Sequence, residues 1–224
     1  MSVDSDVQVT GDVQAGDVRE AEAPPAHTGG NPLLLGLLTF LPGALTLGLW
    51  YVGYLDTAGL PGGMIPAVTI SAGLFELIAC VWAARIGASV VAAAFGVFAA
   101  FWISFGFLLL GLVNGWFGIS SDPAVAADQV AQVQATYLLS FLIAVAVLTV
   151  ATMRLPLAFT VGFTLIVITF ALTLIGVTTA NAGLFPIAGI MTFLFCAVFA
   201  YILVDGINQD LGGRPLPMGN PIVK

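Results

Sequence analysis

Glu76 stands near the middle of a long apolar run, LFELIACVWAAR, so its carboxyl group is the clearest candidate for chemistry in this chain. A charged residue at the centre of a membrane helix costs about 2.5 to 3.5 kcal/mol, so such a residue normally faces the bundle interior and is neutral or paired. Arg85 lies too far along the same run to be its partner. Two roles stay open: a proton or solute site, or a neutral acid hydrogen-bonded to a neighbouring helix as structural support.

The histidine and cysteine content argues against an enzyme. His27 is the only histidine and lies in the polar first 30 residues, while Cys80 and Cys196 lie in separate apolar runs. We therefore expect no histidine-dependent triad, metal site or disulfide framework, and no cofactor. The chain also lacks the basic clustering that a phosphate backbone demands, which excludes nucleic acid as a partner.

The composition is that of a protein embedded in the lipid bilayer. Hydrophobic residues make up 59% of the 224 residues and charged residues only 8%, against about a quarter in average soluble domains. The acidic residues are concentrated in residues 1–30, which show no apolar periodicity. We predict a disordered acidic cytosolic tail there. It does not resemble a signal peptide, because it lacks a basic start and an apolar middle.

Six later segments each reach the length of about 20 apolar residues that is needed to cross the hydrocarbon core. The predicted fold is all-α, with a six-helix transmembrane domain at 31–207 and a cytosolic tail at 208–224. Strands of a membrane barrel are excluded because the runs are far longer than about ten residues. The predicted spans are 33–55, 64–84, 88–114, 131–153, 156–179 and 183–205.

The basic residues indicate the orientation of these spans. Both termini and the second and fourth connections must share one side of the membrane, and the Lys and Arg residues all lie there. The opposite connections contain Asp56, Asp122 and Asp128 but no Lys or Arg. The positive-inside rule assigns the basic side to the cytoplasm. Both termini are therefore predicted to be cytoplasmic, in a multi-pass protein of the cytoplasmic membrane.

The third span carries two residue patterns. An aromatic stripe is either lipid-facing filler or a hydrophobic gate that lines a narrow pore, and its members are Phe95, Phe98, Trp102 and Phe105. On another face, small residues recur every four positions, a spacing that lets membrane helices approach closely. We predict helix packing at these residues, which are Ala92, Gly96, Ala100 and Ser104.

Several motifs, taken in order, resemble the acetate uptake transporter family over roughly residues 30–219. The opening GNPLLLGL at 30–37 is similar to the family's NPAPLGL signature. The segment AGLFELIACVWAARIG at 72–87 matches a small-residue, acid or amide, AxxWxxxxG pattern. Further matches are AFWISFG at 100–106, FALTLIG at 170–176 and NQDLGGRPLPMG at 208–219.

The resemblance implies a six-helix protomer in a homohexameric ring, with a path for acetate and related small carboxylates in each protomer. Asn31, at the polar mouth, is the matched candidate for meeting the carboxylate, and it is also a good N-cap for the first helix. The resemblance further implies a hydrophobic constriction in the path. Its matched positions are Phe40, Phe98, and either Leu165 or Ile166.

The spans hold no basic side chain that would offset the desolvation of an anion. The solute is therefore expected to cross as the neutral acid or together with a proton, and a protonated Glu76 would couple transport to the proton gradient. Two alternatives stay open. One is a urea or short-amide channel, because a narrow uncharged path also suits small neutral molecules. The other is a structural or regulatory membrane protein in which the acidic tail is the working part.

Overall fold

A computed structural model describes residues 30–56 and 62–224, and these residues form six long helices and no strand. All six helices are long and apolar enough to cross a membrane, which confirms the predicted all-α fold with six spans. The predicted acidic tail and His27 lie outside the described residues. The helices are α1 (Pro32–Tyr51), α2 (Ala67–Arg85), α3 (Ser89–Val113), α4 (Pro123–Thr152), α5 (Leu157–Thr178) and α6 (Leu184–Asp210).

Helix α1 begins at the residues that the sequence indicated. The Asn31 side-chain oxygen accepts a hydrogen bond from the Leu33 N–H at 3.0 Å, which satisfies one of the free N–H groups of the first turn. Pro32 occupies the first helical position, where its missing N–H has no cost. Asn31 is thus a structural cap, whatever else it contacts.

Helix α4 begins at Pro123, before the apolar span that the sequence predicted from 131. Asp122 caps the helix by accepting a hydrogen bond from the Ala124 N–H at 3.0 Å. Gln129 lies inside the helix and accepts a hydrogen bond from the Ser120 N–H at 2.7 Å. At about 1.5 Å per residue, a 30-residue helix is roughly 45 Å long and exceeds the hydrocarbon core of about 30 Å. The polar first turns therefore extend beyond the apolar span.

Helix α2 opens with a π-helical segment, Ala67–Leu74, and continues as an α-helix over Phe75–Arg85. Such π segments are rare and frequently occur at functional sites. No residue pattern in the sequence predicted this one. Glu76 lies in the first α-helical turn after it.

The helices enclose a common centre. Each helix packs against its neighbour in the chain, and α1 also packs against α6. The aromatic stripe of α3 lies in this centre, because its four rings are only 2% to 6% exposed. The lipid-facing alternative is therefore wrong for Phe95, Phe98, Trp102 and Phe105.

Helix α6 extends to Asp210, beyond the predicted end of the span at 205. Asp205 does not end the helix, because its side chain is buried and hydrogen-bonded inside the protein. One Asp205 carboxylate oxygen accepts a hydrogen bond from the Gln209 side-chain amide at 2.7 Å. The other accepts one from the Leu216 N–H at 2.6 Å. These bonds turn the chain back over the end of α6.

The residues after α6, 211–224, form a strap across the start of α5. The Met218 carbonyl accepts a hydrogen bond from the Ala158 N–H at 3.0 Å, and the Gly219 carbonyl accepts one from the Leu157 N–H at 3.4 Å. Pro156 gives α5 no side-chain cap, so the strap satisfies N–H groups that the helix leaves free. Part of the predicted cytosolic tail at 208–224 is therefore packed against the helical domain.

Candidate solute path

Two cavities lie end to end in the centre of the helices. The first has a volume of about 60 Å³ and lies nearer Asn31, and the second has about 20 Å³ and lies nearer Tyr51. Phe40 of α1 and Phe98 of α3 line both cavities, and their ring centroids are 5.6 Å apart. This pair of rings therefore lies where the two cavities adjoin, and it occupies two of the three positions that the family resemblance assigns to a constriction.

Two further rings lie beside this pair in the wall of the first cavity. Phe199 lies 5.4 Å from Phe40, and Phe163 lies 5.6 Å from Phe98, measured between ring centroids. Phe199 also meets Phe163 edge to face at 5.8 Å, an arrangement that aromatic pairs favour. Gly162 makes room for the Phe199 ring, because a Cβ there would lie only 2.8 Å from it. The four rings therefore form one aromatic cluster in the wall of the first cavity.

The two candidates for the third constriction position, Leu165 and Ile166, are adjacent in α5 and face different surroundings. Ile166 is 3% exposed and lines the second cavity beside Phe40 and Phe98. Leu165 instead lines a groove on the outer surface, together with Tyr201. Successive helical residues point about 100° apart, so only one of two neighbours can face a narrow passage. The geometry favours Ile166.

The two cavities differ in the polarity of their walls. The first is apolar except for Thr152, whose hydroxyl donates to the Thr149 carbonyl at 2.7 Å. The second has four polar side chains in its wall, which are Tyr51, Trp102, Thr169 and Thr173. No charged side chain of the described residues lines either cavity. Such a path offers hydrogen bonds but no counter-charge.

A third space, the Asn31 vestibule, leads towards the first cavity. It has a volume of about 190 Å³ and shares Leu33 and Phe159 with the first cavity. Asn31, Asp205 and Met218 of the strap are among its lining residues. The vestibule therefore has polar side chains in its wall, whereas the first cavity beside it is mainly aromatic and aliphatic.

Glu76 lies away from the cavities. Its side chain is 0% exposed, and neither carboxyl oxygen has a hydrogen-bond partner among the described residues. Ala72, one turn earlier, faces α1, since a Cβ at Gly43 would lie 2.6 Å from its own Cβ. Cys80, one turn later, faces α3, since a Cβ at Gly96 would lie 3.2 Å from its sulfur. Glu76 shares this face, so it lies in the protein interior between α1 and α3.

The small residues of α3 meet different surroundings. Gly96 faces Cys80 of α2, whereas the Ser104 hydroxyl lies 3.2 Å from the Tyr137 hydroxyl of α4. Ala100, which lies between these two residues on the same small-residue face, is exposed, and Ala92 is half-buried. Within this chain, the four small residues therefore do not pack against a single helix.

Sequence reasoning missed the polar wall of the second cavity and two of the passage rings. Thr169 and Thr173 lie one turn apart in α5, and this spacing alone predicts a shared helix face. Phe163 and Phe199 carry no comparable signal, because aromatic residues are common throughout the apolar spans.

Comparisons with known proteins agree with this architecture. The residue pattern of the GPR1/FUN34/yaaH family matches residues 10–211. The structure of the bacterial acetate channel SatP superimposes with a TM-score of 0.72 at 23% identity, over 85% of this chain and 99% of that chain. At this identity the likeness shows the fold.

Curated relatives are similar over most of this chain. Ammonia transport outward protein 2 of Saccharomyces cerevisiae is 29% identical over 188 residues, covering 82% of this chain and 63% of its own length. Accumulation of dyads protein 2 of the same yeast is 28% identical over 203 residues, covering 87% of this chain and 68% of its own. An uncharacterized protein of Methanothermobacter thermautotrophicus is 29% identical, covering 90% and 97%.

The chain thus spans less than two thirds of the length of the first yeast relative. The family and the structural neighbour are transporters or channels rather than enzymes, in agreement with the sequence. The match over residues 10–211 also confirms the family resemblance of the six-helix domain. The chain belongs to the GPR1/FUN34/yaaH family.

Proposed function

We propose that this protein carries acetate and related short-chain carboxylic acids across the cytoplasmic membrane, through a path within each protomer. The observation that supports this most is a row formed by the polar Asn31 vestibule and two cavities that no charged side chain of the described residues lines. A structural neighbour is named an acetate channel. Without a counter-charge in the path, an anion would lose its hydration uncompensated, so the solute crosses as the neutral acid or with a proton.

Phe40, Phe98 and Ile166 form the constriction that limits the size of the solute in this proposal. Their side chains are 3% to 6% exposed. Phe40 and Phe98 lie where the two cavities adjoin, and Ile166 lines the second cavity beside them. Phe98 has no hydroxyl group, so a solute that passes this point meets only apolar surface there. Asn31 receives the carboxyl group at the cytoplasmic mouth, because its side chain lines the vestibule.

Glu76 couples transport to the proton gradient in this proposal. A fully buried carboxyl group without a hydrogen-bond partner or a cation is held in its neutral form by desolvation. The alternative of structural support requires a bonded partner on another helix, and the described residues offer none. Glu76 lies between α1 and α3, which carry Phe40 and Phe98. A change in its charge would therefore alter the packing of the two helices that hold the constriction.

The protomers assemble as a homohexamer in the lipid bilayer in this proposal, with both termini cytoplasmic. Helices α2 and α4 expose apolar side chains that lipid or a neighbouring protomer covers, including Ile78, Val81, Ile143 and Val147. The basic residues at the strap and at the connections after α2 and α4 mark the cytoplasmic side.

Ammonia is a second candidate solute. One yeast relative is named for outward ammonia transport, and an uncharged, narrow path suits a small neutral molecule. Urea and short amides fit the same description. Urea and short amides differ from acetic acid because they do not ionise, so a proton gradient does not drive their accumulation.

Uptake of labelled acetate into proteoliposomes, with and without an inside-alkaline pH gradient, tests the proposal. Protein-free liposomes of the same lipid are the control, because neutral acetic acid also crosses lipid. We expect protein-dependent uptake that the gradient increases and that unlabelled propionate inhibits. Protein-dependent flux of methylammonium or urea together with no protein-dependent acetate uptake would contradict the proposal.

A further inference from the structure

A groove runs between α5 and α6 on the outer surface of the helical domain. Its walls are formed by the two helices, and the strap closes it at the end where α5 begins. The wall residues include Val161 and Leu165 of α5 and Leu194 and Val198 of α6. This space, the α5–α6 groove, has a volume of about 660 Å³, so it is far larger than the cavities of the solute path.

The length of the α5–α6 groove matches one leaflet of the bilayer. On α5 its wall extends over the eight residues from Leu157 to Leu165, which is roughly 12 Å at about 1.5 Å per residue. One leaflet contributes about half of the hydrocarbon core of about 30 Å. The groove therefore runs alongside the acyl chains of the leaflet on the strap side.

The strap end of the groove has the features of the membrane–water interface. Tyr201 carries the only hydroxyl group among the described residues that line the groove, and this hydroxyl donates to the Pro217 carbonyl of the strap at 3.0 Å. Tyrosine is enriched at the interface because its ring is apolar and its tip is polar. The strap end therefore lies at the depth of the lipid headgroups.

Two basic residues lie next to each other at this same end. The Val223 N–H of the strap donates to the Met153 carbonyl at 3.0 Å, and this bond brings Lys224 beside Arg154, since each of them is the next residue in the chain. Arg154 lies three residues before Leu157 of the groove wall. Both basic residues are exposed, so their charges are available to a headgroup.

The acidic residues near the strap face another space. Asp205 and Asp210 line the Asn31 vestibule and do not line the α5–α6 groove. Arg214, a third basic residue, belongs to the strap itself and is exposed. The headgroup end of the groove is therefore positive.

This combination of an apolar groove and a positive end fits an anionic phospholipid. The groove takes an acyl chain, and the basic residues take the phosphate, with which a guanidinium group forms two parallel hydrogen bonds. Basic sites between membrane helices are known to bind anionic headgroups. The exposed face of α2 that ends at Arg85 differs, because its lining residues all belong to one helix and provide no second wall for a chain.

We propose that the α5–α6 groove binds one anionic phospholipid per protomer, with an acyl chain between the two helices and the phosphate at Arg154 and Lys224. The lipid lies on the outer surface and is distinct from the transported solute. It covers the strap end of the groove and thereby holds the strap against the start of α5.

Native mass spectrometry of the full chain in detergent tests this site. Phosphatidylglycerol and phosphatidylcholine with the same acyl chains are added in turn, and we expect one phosphatidylglycerol per protomer to bind before any phosphatidylcholine does. The double variant Arg154→Gln, Lys224→Gln should weaken phosphatidylglycerol binding by roughly fivefold for each charge removed. Arg85→Gln is the matched control, because Arg85 is exposed on the same side of the membrane but lines the α2 face.

A second variant tests the groove without changing its charge. Ala197 lines the groove and is exposed, so the ring in Ala197→Phe should occupy the space of the acyl chain and abolish phosphatidylglycerol binding. Ala84→Phe, on the exposed surface of α2, should leave binding unchanged. Thermal unfolding in lipid-free detergent shows that the variants are folded, and the double Gln variant should keep the midpoint of the unmodified protein because it changes only exposed side chains.

Four results would overturn the proposal. The unmodified protein could bind the two lipids equally, or Arg85→Gln could lower binding as much as the double variant, which would make the charge effect general. Unchanged phosphatidylglycerol binding in Ala197→Phe would place the lipid elsewhere. Dissociation of the oligomer in Ala197→Phe but not in Ala84→Phe would show that a second copy of the chain covers the groove.

Discussion

Two carboxyl groups are buried in the helical domain, and their surroundings are opposite. Asp205 is 6% exposed, and both its oxygens accept hydrogen bonds, from Leu216 and from Gln209. Glu76 is 0% exposed, and neither of its oxygens has a partner among the described residues. Asp205 lies at the end of α6, whereas Glu76 lies within the second span.

The difference separates a structural role from a functional one. The bonds of Asp205 hold the strap against the end of α6. Glu76 gains nothing comparable, and a buried polar group without partners destabilises the fold. A residue that costs stability and stabilises no contact is expected where function requires it. The following predictions test this contrast.

The largest expected effect is on stability, at Asp205. Asp205→Ala leaves the Leu216 N–H and the Gln209 amide without their acceptor, so the free energy of unfolding should fall by about 3 kcal/mol. Asp205→Asn keeps one acceptor oxygen and should lose less. Thermal unfolding in detergent measures both. The comparison fails if Glu76→Gln, which removes no bond, lowers the stability as much as Asp205→Ala.

The next effect concerns pH dependence, at Glu76. Glu76→Gln keeps the shape of the side chain but removes its titrating proton, so uptake should lose most of its pH dependence while the protein still assembles. Uptake is measured at a fixed concentration of neutral acetic acid, so that the ionisation of the solute itself does not contribute. A Gln variant with the normal pH profile would assign Glu76 to packing, and Glu76→Ala would then chiefly lower stability.

A smaller change is expected in solute size, at the constriction. Phe98→Ala should admit bulkier carboxylic acids because it removes one ring from the passage between the cavities. Loss of a buried ring also costs about 3 to 5 kcal/mol, so Phe98→Leu provides a milder variant. Phe107→Ala is the control, since Phe107 is 59% exposed on the same helix. The ratio of butyrate to acetate uptake should rise by a few fold in the Phe98 variants only, and an unchanged ratio in a folded variant would assign the ring to packing.

The last prediction concerns the orientation of the protein in the membrane, and its variants are expected to leave uptake unchanged. In a protein with Cys80 and Cys196 replaced by Ala, a cysteine at Ser121 should react with an impermeant thiol reagent from outside. A cysteine at Ala88 should react only after the membrane is opened. This pattern places Asp205 and the strap in the cytoplasm, whereas the reverse pattern would invert the protein.

The number of spans was predictable because each apolar run exceeds the thickness of the hydrocarbon core. The start of α4 was not predictable from hydropathy, because charged residues such as Asp122 and Asp128 interrupt an apolar run. In the structure Asp122 caps the helix and Asp128 lies inside it. The role of Asp205 was also hidden. Its partner Leu216 lies in the strap, and no periodicity links a helix to a segment that folds back over it.

The constriction was only partly predictable. Family resemblance matched Phe40 and Phe98, but Leu165 and Ile166 are adjacent, and the choice between them depends on the rotation of α5 in the packed bundle. The unpaired N–H of Trp102 is likewise a property of packing. In the sequence, Trp102 is simply one member of an aromatic stripe.

Leu165 and Ile166 provide the most direct test of whether the solute crosses through the row of cavities. In a background without Cys80 and Cys196, Ile166→Cys and Leu165→Cys are treated with a small membrane-permeant thiol reagent, and labelled-acetate uptake is followed. We predict that modification blocks uptake in Ile166→Cys, that excess acetate slows this block, and that Leu165→Cys keeps its uptake. Block at Leu165→Cys with Ile166→Cys unaffected, or block at Ile166→Cys that acetate does not slow, would contradict the path.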